Sequence, residues 1–145
     1  GVEKAECYLQ LSKVTEVDII GGVLSQMNSI YREEVLVRII KDQRSVSSLI
    51  SSFNFDCIAK AVDECIGAVE YVEPDAYEDI SDGPLKYFYT DRDSAIDPKS
   101  LVLLAQHYLD EVHRHYPNIE ISELRLPAVE VFSVFGNTND VLLTH

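Results

Sequence analysis

At 145 residues and 46% hydrophobic content, the chain has the size and composition of one globular domain, which excludes a wholly disordered polypeptide. Its longest uninterrupted apolar runs, such as residues 101–105, fall far short of the roughly 20 residues a membrane-spanning helix needs. A formal net charge of −13 argues against binding to phosphate backbones or to anionic lipid surfaces.

The chain opens Gly-Val-Glu-Lys, with no Met and no apolar leader. This reads as a single domain, 1–145, excised from a longer protein, with no targeting signal to interpret. From Val17 to Ile40, apolar residues at 17, 20, 24, 27, 31 and 35 recur at three and four, which predicts an amphipathic helix that begins or kinks at Gly21-Gly22. The β-branched run 35–40 is also compatible with a strand. Residues 45–52, rich in serine, read as a short helix or a loop. Asn54 has the character of an N-cap, and Phe55, Ile58, Ala59, Val62, Cys65, Ile66 and Val69 follow at helical spacing until Pro74 blocks continuation.

Leu85 to Tyr89 reads as a short strand after Gly83-Pro84. Asp97 followed by Pro98 is a strong helix start, because proline's missing N–H costs nothing at the first helical position. Leu101, Leu104, Ala105, Tyr108, Leu109 and Val112 supply the apolar face of a central helix at 98–116. Its last turn carries His113, Arg114 and His115, and Pro117 ends it. The tail alternates as β structure. A bulge is expected at Ser122-Glu123, Pro127 implies an edge or a corner, and Ala128–Phe135 and Val141–Thr144 form a hairpin across a turn at 136–140. The expected fold is therefore α+β: N-terminal helices, the central helix, and a small, mostly antiparallel C-terminal sheet.

Charge is unevenly distributed. Residues 1–62 sum to −1, residues 63–97 to −9 and residues 98–145 to −3. The centre of the acidic part is a Tyr-bearing loop, 70–84. Carboxylates interleaved with tyrosines and turn formers suit contact with a basic protein, since Tyr offers large, rigid contact area with a polar tip. The candidate contact residues are Tyr71, Glu73, Asp75, Tyr77, Glu78, Asp79 and Asp82.

The three cysteines have no C-x-x-C spacing. Cys57 and Cys65, two turns apart on one helix, are too distant for a disulfide, so reduced thiols and a cytoplasmic location are expected. His107, Asp110 and Glu111 share a helix face without matching a zinc pattern. Asp91, Asp93 and Asp97 lack the Gly and Glu positions of a calcium-binding loop. No glycine-rich phosphate loop or nucleophile elbow is present. The expected function is accordingly that of a non-enzymatic interaction domain, an adaptor or complex subunit with a basic protein partner. No catalytic residue, metal or cofactor is assigned, and no nucleic acid or membrane is expected as a partner. Two alternatives are an acidic inhibitor that blocks a nuclease and a small metal-assisted hydrolase or transferase using Asp91, Asp93 and His107. The apolar tail strand also makes a homodimer conceivable.

Overall fold

The computed structural model describes residues 2–90 and 97–145. Its elements in chain order are β1 (Lys4–Ile20), β2 (Val23–Lys41), β3 (Arg44–Ile50), α1 (Phe55–Ala68), a 3-10 turn (Val69–Tyr71), β4 (Leu85–Phe88), α2 (Pro98–His115), β5 (Glu123–Asn137) and β6 (Val141–Thr144). The strands form a six-stranded sheet of order β3-β2-β1-β5-β6-β4, mixed in sense because β4 runs parallel to β6. This overturns the expectation of N-terminal helices and a small C-terminal sheet. Residues 4–50 are three strands joined by tight turns, and the described residues hold only two α-helices.

The reversal at Gly21-Gly22 explains the largest correction. Both glycines have positive φ, +57° and +79°, the combination a two-residue type I′ hairpin loop requires. What looks like one kinked helix is the turn between two long strands. A second tight loop follows at Asp42-Gln43, again with positive φ at both residues, and fixes the β2–β3 register from Lys41↔Arg44 to Val35↔Ile50. The serine-rich stretch is thus β3 rather than a helix or loop.

The chain divides into two compact units. The first takes in residues 2–11, 32–90 and 131–145. Alternate residues Val35, Val37 and Ile39 of β2 pack with Cys65 of α1, and Cys7, Leu9, Val46, Ile50, Ile58 and Val62 close around them. Asn54 caps α1, its side chain accepting from the Asp56 and Cys57 N–H groups at 2.8 and 3.3 Å. Phe55, expected on the buried stripe, lies exposed at the very start of the helix.

The second unit takes in residues 12–31 and 97–130. Leu101, Ala105 and Leu109 of α2 pack on Val17 and Ile19 of β1, with Leu124, Leu126 and Ala128 of β5 alongside. Asp97 caps α2 through the N–H groups of Lys99 and Ser100, with Pro98 at the first turn, as the sequence implies. Leu104 and Tyr108, expected on the buried face, are exposed. Contacts from Lys13 to Glu130 and from the Gly21 N–H to the Ser122 carbonyl make β1 and β5 antiparallel here. Arg125 lies 2.9 Å from the nearly buried Asp18 and within 3.6 Å of Glu16, which satisfies a carboxylate that would otherwise be costly to bury. The expected bulge at Ser122-Glu123 is the start of β5. Pro127 lies on a length of β5 beyond the β6 register, which covers Val134–Gly136.

Candidate functional site

The acidic segment after α1 belongs to the first unit and is held down by basic residues of the strands. Lys41 donates to Glu70 at 2.7 Å, and the Arg44 guanidinium donates to the Val72 carbonyl at 2.9 Å. Arg38 bridges Glu6 and Glu78, and Lys4 reaches Asp79 at 2.5 Å. The Asp75 N–H donates to the Gln43 carbonyl, and the Asp75 side chain caps the Tyr77 N–H. These pairings have electrostatic consequences. The hydrogen bond from Lys41 holds the Glu70 carboxyl below the usual range, and those from Lys4 and the Ile80 N–H do the same for Asp79. Hydrogen bonding to Glu6, then to Glu78, pushes the Arg38 guanidinium up.

The seven candidate contact residues therefore separate into two groups. Glu78 and Asp79 are internal counter-ions of the sheet's cations. Tyr71 and Tyr77, 90% and 94% exposed, stand in solvent together with Glu73, Asp75 and Asp82.

Beyond this segment the first unit carries a groove of about 560 Å³. Its walls include Tyr8 of β1, Tyr87 of β4, Tyr89, Phe135 of β5, Leu143 of β6 and His145. Tyr89 stacks on the His145 imidazole with ring centroids 5.1 Å apart, and reciprocal backbone hydrogen bonds join Ser133 to His145. The lining is aromatic and apolar with hydroxyl edges. It suits the packing of an apolar segment, and no acid–base pair is held in it. Sequence reasoning missed this groove because residues distant along the chain become neighbours through the β5–β6 and β4–β6 pairings, Leu143 lying opposite both Phe135 and Tyr87.

The metal-oriented residues do not converge. Asp110 accepts from Gln106, and Glu111 pairs with Arg114, so neither is aimed at the exposed His107. Asp91 and Asp93 lie outside the described residues. Among the described residues no three His, Cys, Asp or Glu side chains come together as a metal site. Cys57 is exposed on α1, whereas burial pushes the Cys65 and Cys7 thiols up, away from nucleophilic character.

Against this geometry, comparison with known proteins is informative. Residues 5–70 match the family model for PmbA/TldA metallopeptidase domain 1. The chain shares the fold of TldE. TldE from Thermococcus kodakarensis superimposes with a TM-score of 0.82 over 99% of this chain and 34% of its own, at 13% identity. A candidate modulator of a DNA gyrase from Thermotoga maritima gives 0.78 over 98% of this chain and 33% of its own, at 10% identity. A candidate modulator of DNA gyrase from Bacteroides thetaiotaomicron gives 0.77 over 100% and 35%, at 15% identity. No curated protein matches the sequence. This chain spans about a third of the length of these solved structures.

The match to a metallopeptidase domain overturns the expected non-enzymatic adaptor or complex subunit, and with it the assignment to a class outside the enzymes. The metal-assisted hydrolase alternative is the one nearer to the match, although the residues nominated for it are not brought together. Among the described residues no helix is long and apolar enough to cross a membrane.

Proposed function

We propose that this chain serves as the first domain of a PmbA/TldD-type metallopeptidase, a longer protein that hydrolyses peptide bonds. The observation that carries this is the coincidence of two ranges. A model for domain 1 of such a peptidase matches residues 5–70, and the fold likeness to TldE extends over 99% of the chain but only 34% of TldE.

The described residues do not fit a catalytic metal, so no step of hydrolysis is assigned to them. In this reading the metal ligands lie in the remainder of the longer protein, and this domain supplies scaffold and contact surfaces. The exposed end of the acidic segment, Tyr71, Glu73, Asp75, Tyr77 and Asp82, is the surface we assign to a basic protein partner, because among the described residues its carboxylates form no ion pair with the sheet's cations. Three unpaired cysteines favour the cytoplasm.

The test is peptide hydrolysis by the full-length protein on an unstructured substrate. Activity abolished by a chelator and restored by a divalent metal is expected. Hydrolysis indifferent to chelation, or none with any metal supplied, would overturn the assignment.

A further inference from the structure

The aromatic groove of the first unit is a row of side chains across the sheet. Leu143 of β6 lies opposite both Phe135 of β5 and Tyr87 of β4. Tyr8 of β1 stands at the other end, so the two apolar side chains lie between tyrosines. Two residues beyond Tyr87, the Tyr89 ring lies on the His145 imidazole at an interplanar angle of 11°. Flat groups already stack here.

The polar character of the groove is one-sided. The Tyr8 hydroxyl donates to Gln10 Oε1 at 2.8 Å, which leaves its oxygen as an acceptor. Among the described residues no Lys or Arg lines the groove. Lys86, next to Tyr87, alternates to the opposite face of β4 and pairs with Asp140 at 3.3 Å.

The surrounding charge is one-sided too. The described residues of this unit hold fifteen Asp and Glu against seven Lys and Arg. A surplus of that sign raises the local concentration of cations. Aromatic rings attract cations further through the negative face of the π system.

An arginine side chain answers each of these properties. Its methylene stem packs on Leu143 and Phe135 while the charged head stays at the tyrosines. The planar guanidinium stacks on aromatic rings and brings five N–H donors to an acceptor such as the Tyr8 oxygen. A groove of about 560 Å³ has room for that side chain and its adjoining backbone.

We propose that this groove is a subsite for an arginine side chain of an unstructured peptide. The proposal rests on the peptidase-domain reading and names a substrate class for it, arginine-bearing peptides.

The test is fluorescence anisotropy with the full-length protein held in chelator, so that nothing is cleaved. The probes are a labelled unstructured peptide with a single arginine and the same peptide with citrulline, which keeps the shape and loses the charge. The arginine peptide should bind about fivefold more tightly, the scale of one cation–π contact. Tyr87→Leu should abolish that preference and leave affinity for the citrulline peptide unchanged, which also shows that the variant is folded. Tyr87→Phe keeps the ring and should keep the preference. Equal affinity for the two peptides, or binding of neither, would overturn the proposal. So would a preference that survives Tyr87→Leu, since the arginine would then sit elsewhere on the acidic surface. Binding is read without turnover, so a protein that prefers arginine at this groove but never cleaves would overturn the peptidase assignment alone.

Discussion

Asn137 makes three of the hydrogen bonds that fix the β5–β6 turn. Its side-chain oxygen accepts from the Asn139 and Val141 N–H groups at 2.9 and 3.2 Å, and its amide donates to the Ser81 carbonyl at 2.9 Å. Asn139 reaches the same carbonyl at 3.2 Å. The turn is thereby clasped to the end of the acidic segment, and Gly83 packs directly against the Asn139 backbone. A Cβ on Gly83 would land on the Asn139 carbonyl oxygen and press the Val141 side chain at 3.2 Å. The obstruction is backbone, which cannot rotate away as a side chain could. Gly83→Ala is therefore expected to cost about 2 kcal/mol, within the range for overpacking. Gly67→Ala meets nothing within 4 Å and should be neutral or slightly stabilising, as expected for Ala in a helix interior. Urea denaturation of the two variants checks the contrast. A tolerated Gly83→Ala would mean that the clasp is looser than the structure shows.

At the scale of elements, the acidic segment is fastened by charge, and the fastening has a calculable pH dependence. Glu70 and Asp79 have carboxyl groups held below their ordinary range by Lys41 and Lys4. A depressed carboxylate contributes stability that is fully present above its unfolded pKa and is lost as pH falls through the folded value. The segment should stay closed at neutral pH and loosen on acidification below the ordinary carboxylate range. Amide exchange in residues 70–82, followed as pH is lowered, checks this. Arg38→Ala removes a half-buried tether and leaves Glu6 and Glu78 without their shared cation. It should speed exchange in the segment already at neutral pH and cost about 2 kcal/mol, the scale of a charged hydrogen bond. Exchange unchanged in Arg38→Ala would show that the Asp75–Gln43 backbone bond and the buried Ile80 suffice to hold the segment.

Elements were legible in the sequence where chemistry is local. Asn54 and Asp97-Pro98 mark helix starts because caps act through the next three residues, and the 136–140 turn declares itself through asparagines. The N-terminal half was misread for a physical reason. The buried residues of β2 are Val35, Val37, Ile39 and Ile40, the first three with period two. The exposed apolar residues at 23, 24, 27, 30 and 31 add a false helical rhythm to them. Periodicity reports burial only when one face is buried, and residues 23–31 bury neither. The acidic contact segment was visible as composition. The cations that engage Glu78 and Asp79 were not, because Lys4 and Arg38 lie 75 and 40 residues away from them. The aromatic groove left no local trace for the same reason.

For the molecule as a whole, salt acts in opposite directions on two quantities. Twelve Lys and Arg face twenty-five Asp and Glu. Several of those cations, Lys4, Arg38, Lys41 and Arg125 among them, are already engaged in ion pairs, so the surplus of thirteen negative charges is uncompensated. Net charge of one sign destabilises a compact chain by self-repulsion, and salt screens that repulsion over about 10 Å at 0.1 M. Exposed ion pairs are typically worth about 0–1 kcal/mol each. Their loss on screening is therefore smaller than the relief of repulsion spread over the whole surface. Raising salt from low ionic strength to the physiological range should raise the melting temperature of the 145-residue chain, while amide exchange in residues 70–82 becomes faster. Calorimetry and exchange measured on the same samples separate the two. A melting temperature that falls with salt would mean that the ion pairs of β1, β2 and the acidic segment outweigh global repulsion, and that the segment is part of the folding core rather than a strap laid upon it.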